Sequence, residues 1–157
     1  MSKTTKIILV VACVALCVVV GYTISKASPA GDHGQPNSNN SSGPADRVDV
    51  VYFHRTQRCH TCLYAENMTL YTLETYFADE LASGKVTFQS INVQDKANAD
   101  IVKKYNNASY LTLCINTVRG GTDHIEEITD IWTVIDNDKA FVEIVKNKVE
   151  QSLTGET

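Results

Sequence analysis

A β-branched and aromatic run, Val48 to His54, passes through a short polar turn into Cys59-His60-Thr61-Cys62 and then into a long helical pattern. No other feature constrains the chain as much. The run is apolar almost throughout, as a strand covered on both faces should be. Downstream, Leu63, Leu70, Leu73, Phe77 and Leu81 recur at helical spacing and predict one long helix with its apolar face on a sheet, ended by Ser83-Gly84. A second strand is expected over Lys85 to Val93, a short helix over Ala97 to Tyr105 closed by Asn106-Asn107, and a third strand over Tyr110 to Val118. Arg119-Gly120-Gly121-Thr122 reads as a hairpin turn into a fourth strand around His124 to Ile128. Ala140, Phe141, Ile144, Val145 and Val149 then form the apolar stripe of a terminal helix. The predicted order is β-α-β-α-β-β-α, an α/β fold around a central mixed sheet.

The whole chain has 157 residues, enough for one domain with sequence to spare. Residues 1–24 account for part of the excess. Lys3 and Lys6 precede an uncharged run from Ile7 to Ile24, which is long enough for a transmembrane helix. A cleavable signal peptide is the rival reading, because Ser25 and Ala27 have the small-residue spacing that signal peptidase prefers. The run exceeds the usual signal-peptide core of about 7 to 15 residues, which favours a retained, single-pass anchor. With the lysines on the cytoplasmic side, the remainder is expected on the extracytoplasmic face, periplasmic or extracellular. Residues 25–46 are rich in Ser, Asn, Gly and Pro and read as a flexible linker, residues 47–153 as the globular domain, and 154–157 as a tail. Acidic residues outnumber basic ones 18 to 14, and no basic block is present, so nucleic acid is not an expected partner.

A C-x-x-C placed where a helix begins has a chemical consequence. The first cysteine meets unpaired backbone N–H groups and the positive end of the helix dipole, which favour thiolate over thiol, while the second lies within disulfide reach. Cys59 is therefore the expected nucleophile and Cys62 the resolving thiol. Arg58, Arg55 and protonated His60 add positive charge and are expected to lower the Cys59 pKa. His54, at the strand end, is expected to orient the active-site loop. Glu66, one turn after Cys62, is a possible proton acceptor, although a solvated helix glutamate is the plainer reading. Cys114 lies among Leu111, Leu113 and Ile115 and reads as a small buried hydrophobe.

With CHTC at the first strand–helix junction and the β-α-β-α-β-β-α order around it, Val48 to Leu153 resembles a thioredoxin-like domain. More narrowly, VYFHRTQRCHTC, with Glu66 and Asn67 after it and INV closing the second strand, is similar to small bacterial membrane-anchored thioredoxin-like proteins linked to nitroaryl reduction and arsenic resistance. Two departures from the wider family are visible. The stretch Asn107-Ala108-Ser109-Tyr110-Leu111 contains no proline where thioredoxins place a cis-proline before the third strand. Phe53 also stands where thioredoxins bury an acidic residue in the first strand.

These features imply a membrane-tethered thiol-disulfide oxidoreductase, monomeric and needing no cofactor, because its reactive group is its own dithiol. Its expected partner is another redox protein or a disulfide-bearing substrate. The alternative from a different class is a binding module for a thiophilic metal or arsenite, with His54, His60, His124 or Cys114 completing the ligand set. No second C-x-x-C or C-x-H pair supports that alternative, and no resident metal is expected.

Overall fold

The structure, a computed structural model, describes residues 43–155. The expected anchor over 1–24, the linker up to residue 42 and residues 156–157 lie outside the described residues. Among the described residues no helix is long and apolar enough to cross a membrane.

Four strands form one sheet in the order β2-β1-β3-β4. They are β1 (Arg47–His54), β2 (Val86–Asn92), β3 (Thr112–Arg119) and β4 (Thr122–Glu127). β1 runs parallel to β2 and antiparallel to β3, which is antiparallel to β4. Among the described residues four α-helices accompany them: α1 (His60–Tyr76) and α2 (Ala78–Ser83) between β1 and β2, α3 (Ala99–Lys104) between β2 and β3, and α4 (Asp138–Thr154) at the end. The parallel pair requires a crossover, which α1 and α2 supply.

Because β1 is central, its two faces feed two cores. Val48, Val50 and Tyr52 pack with Ala65 and Leu73 of α1 and with Phe141, Val145 and Val149 of α4. Val51 and Phe53 point the other way, to Cys114 and Tyr105, with Ile101 and Val102 of α3 against them. This is the period-two alternation of a doubly covered strand. The Gly-Gly turn also behaves as its sequence requires, since Gly120 and Gly121 both take positive φ and set Arg119 opposite Thr122.

Several expectations need correction. The single long helix is two, because Phe77 leaves helical geometry (φ −133°, ψ 32°) and buries its ring in the core. The buried face of α1 is Cys62, Ala65, Thr69, Thr72 and Leu73; of the expected stripe Leu73 and Phe77 are buried and Leu81 packs on the core, but Leu63 is 46% exposed. Small Ala65 lets the helix approach, while the Thr69 and Thr72 hydroxyls donate to the carbonyls of Ala65 and Met68 at 2.7 Å and so bury without an unpaired group. Tyr110 and Leu111 precede β3 instead of belonging to it, with Leu111 at φ 63°. A 3-10 turn over Asp130–Thr133, absent from the sequence reading, carries Ile131 into the core, with Trp132, Val134 and Ile135 packed against it.

Residues 43–46, assigned by composition to the linker, belong to the folded unit. Ala45 is buried and donates to the Leu153 carbonyl at 2.9 Å, while Asp46 donates to Val118 at 2.8 Å. Arg119 joins the same corner, bonding the carbonyls of Gly43 and Ser152 at 2.8 and 3.0 Å. At the other boundary Thr154 continues α4, which Gly155 caps in the left-handed region.

Candidate active site

The turn after β1 is tied down before it reaches the cysteines. His54 Nδ1 donates to the Arg55 carbonyl at 2.9 Å. Thr56 donates its N–H to Gln94 at 2.9 Å and accepts from Asn92 at 2.9 Å, which staples the turn to the end of β2. Arg55 donates to the Gln57 carbonyl at 3.1 Å, and its guanidinium lies 4.8 Å from the centroid of the Tyr110 ring. Leu111 in turn donates to the Phe53 carbonyl at 2.9 Å. The segment before β3 is therefore held beside the cysteine loop without a proline.

Cys59 is the N-cap of α1. Its extended backbone (φ −102°, ψ 170°) lets Sγ accept from the Cys62 N–H at 3.3 Å, replacing the oxygen that usually caps such an end. Cys59 is partly exposed, Cys62 is buried, and both are free thiols. Hydrogen bonding from Cys62, side chain first and backbone N–H second, holds the Cys59 thiol below its ordinary value; burial opposes this weakly, and the charge of Arg55 adds to it. The thiolate-favouring environment thus comes chiefly from within the pair.

Arg58 sits differently from its expected place. It pairs with Glu66, and both side chains are mostly buried. Its charge is engaged by a carboxylate, and Glu66 is correspondingly not the solvated helix residue its position suggested. The guanidinium also lies 5.9 Å from the centroid of the Tyr52 ring. His60 is exposed and stacks on Tyr64, with centroids 6.5 Å apart.

Tyr52 is the residue that sequence reasoning missed. It is fully buried, and its hydroxyl makes no hydrogen bond of ordinary geometry, although Arg58 approaches it. Burial raises its pKa, and the neighbouring Cys62 and Cys59 raise it further while Arg58 opposes them. An unpaired buried hydroxyl costs about 1–3 kcal/mol. The alternation of Val48, Val50 and Tyr52 was the available signal, since it puts Tyr52 on the face that α1 covers.

Cys114 lies in β3 among Val51, Phe53 and Tyr105, a different core cluster from that of Tyr52. Burial, reinforced by Glu127, pushes its thiol up to about 12. Among the described residues no three His, Cys, Asp or Glu side chains form a group able to hold a metal ion. His124 is exposed on β4.

The strand order, a crossover helix that opens on the cysteine pair, and a β-hairpin followed by a closing helix reproduce the arrangement implied by the resemblance. The fold is thioredoxin-like. A thioredoxin from Thermus thermophilus aligns over 68% of this chain and 76% of its own, at 15% identity and TM-score 0.42. A malarial protein aligns over 62% of this chain and 93% of its own, at 16% identity and TM-score 0.37. Both alignments are loose, and strand order and connectivity carry the fold assignment. No protein-family model and no curated protein matches the chain. In this thioredoxin-like domain the cysteine pair stands at the carboxyl end of β1, the end of the sheet where its loops and helix N-terminus converge.

Proposed function

We propose that this chain exchanges disulfides through Cys59 and Cys62, tethered by residues 1–24 to the cytoplasmic membrane with its domain on the extracytoplasmic side. The observation that supports this most is the asymmetry of the pair. Cys59 is accessible and favours thiolate, whereas Cys62 is buried one turn further along the same helix. The Cys59 thiolate attacks one sulfur of a partner disulfide, forming a mixed disulfide and expelling the partner's other sulfur as thiolate. Cys62 then loses its proton and attacks the Cys59 sulfur, closing Cys59–Cys62 and releasing the second partner thiolate. The dithiol gives up two electrons in all, and the partner disulfide becomes two thiols. No cofactor enters the sequence. The partner is a redox protein or a disulfide-bearing substrate, met by a monomer near the exposed Leu63 and the Arg55–Tyr110 pair.

Trapping tests this reading. Cys62→Ser leaves a nucleophile with no resolving thiol, so covalent partner adducts should accumulate on non-reducing gels; Cys59→Ser should form few, and Cys114→Ser should change neither outcome. Adducts that depend on Cys114, or that survive loss of Cys59, would overturn the assignment.

A further inference from the structure

The cysteine loop is a cationic stretch in an acidic chain. Acidic residues outnumber basic ones 18 to 14 overall, yet His54 to Ala65 carries Arg55, Arg58, His54 and His60 without one aspartate or glutamate. The neighbouring segment before β3, Asn106 to Leu111, is uncharged. The two arginines differ in how they are engaged. Arg58 is paired with Glu66. Arg55 donates from Nε to the Gln57 carbonyl at 3.1 Å, and among the described residues no carboxylate pairs with it. Its two Nη groups carry four N–H donors in one plane.

This guanidinium is also held in place. It lies 4.8 Å from the centroid of the Tyr110 ring, and the next residue, Leu111, donates to the Phe53 carbonyl at 2.9 Å. A planar cation resting on a ring and bonded through Nε loses little freedom on meeting a carboxylate, and its Nη groups match the two oxygens of one. Arg55 and Cys59 are four residues apart, which a straight chain would span in about 14 Å, and this chain bends at Thr56 and Gln57. A peptide that brings a disulfide to Cys59 therefore carries its adjoining side chains into the range of a long arginine. Tyr110 is 46% exposed and Arg55 partly exposed, so both are open to such a peptide.

We propose that Arg55, presented by Tyr110, selects disulfides with a carboxylate side chain next to the attacked cysteine, so that the partner is a protein whose disulfide lies in an acidic segment. This rests on the exchange reading and names the chemistry of its partner. Arg55 forms no bond to sulfur and moves no proton. A carboxylate beside a disulfide repels an incoming thiolate, and the guanidinium offsets that repulsion while it fixes the peptide. A lysine in the same place meets a like charge.

The test uses the full chain with Cys13→Ala and Cys17→Ala, so that the pair and the buried Cys114 are its remaining thiols. Two symmetric disulfides of one short peptide are compared, with glutamate or with lysine on either side of the cysteine. Oxidation of the dithiol is followed by loss of alkylatable thiol, and each rate is divided by that of mercaptoethanol with the same peptide. The glutamate peptide should be favoured about tenfold, as expected for hydrogen bonds to a charged group, and the preference should shrink as salt is raised. In Arg55→Gln it should fall below about threefold, and in Tyr110→Leu to a value between the two. Because the ratio is taken within one protein, any change in the thiolate fraction of Cys59 cancels. Equal preference in the parent and Arg55→Gln would overturn the role of Arg55, as would a variant slowed equally toward both peptides. No preference in the parent would overturn selection for acidic segments. Failure of either peptide to oxidise the dithiol would instead overturn exchange itself.

Discussion

At the residue scale the three described cysteines occupy three environments, and pH separates them. Cys59, with its thiol held low by Cys62 and Arg55, should be alkylated by iodoacetamide with a rate midpoint below the ordinary thiol value of about 8.5. Cys114, pushed up to about 12 by burial, should stay unlabelled in the same experiment until the domain is unfolded. The two shifts act oppositely on stability. A depressed Cys59 contributes stability above its unfolded value, and that contribution is lost as pH falls through the folded value. A raised Cys114 stays protonated while the unfolded thiol ionises, so stability falls as pH rises from the ordinary thiol range toward about 12. Labelling of native Cys114 alongside Cys59 would contradict the burial argument. The placement of Cys59 and Cys62 was legible because a C-x-x-C after a strand marks a helix start locally. The burial of the Tyr52 hydroxyl was not, because only tertiary packing reveals it.

At the element scale the sequence reading succeeded where a periodic signal coincided with burial and failed where it did not. Phe141, Val145 and Val149 mark the true inner face of α4, and the β1 run marks a doubly covered strand. The leucine stripe held at Leu73 and Phe77 but failed at its start, because threonines that satisfy their own hydroxyls share the inner face while Leu63 turns to solvent. The Arg58–Glu66 pair was equally hidden. Each residue alone reads as a solvated charge, and only the first turns of α1 bring them together. This pair fastens the cysteine loop to the helix it opens, which gives it a measurable weight. Glu66→Gln should lower stability by about 1–3 kcal/mol through loss of a mostly buried charge pair, detectable as a fall in the unfolding midpoint. It should also move the alkylation midpoint of Cys59 downward, since a nearby negative charge is removed and Arg58 is released. An upward movement would mean that the arginine does not act on the thiol loop in this way.

At the scale of the whole molecule, Gly43 and the dithiol belong to opposite ends of the sheet. The folded unit is entered at Gly43, whose carbonyl is bonded to Arg119 near the end of α4, and the chain then runs into the start of β1. The cysteines follow the far end of that strand. Eight residues of β1 at about 3.3 Å each separate the two by roughly 25 Å. The closing residues of α4 share the entry corner, through Arg119 to Ser152 and Ala45 to Leu153, so a C-terminal fusion stays clear of the dithiol. This makes the proposed orientation testable without disturbing the site. Lys3 and Lys6 ahead of the uncharged run direct the N-terminus inward, and a persistent disulfide couple belongs in an oxidising compartment. A reporter that works only after export, fused after Thr157, should therefore be active and should sediment with membranes. A reporter inactive for lack of export, or a fusion recovered in the soluble cytoplasmic fraction, would reject both the anchor and its orientation while leaving the chemistry of Cys59 and Cys62 to its own trapping test.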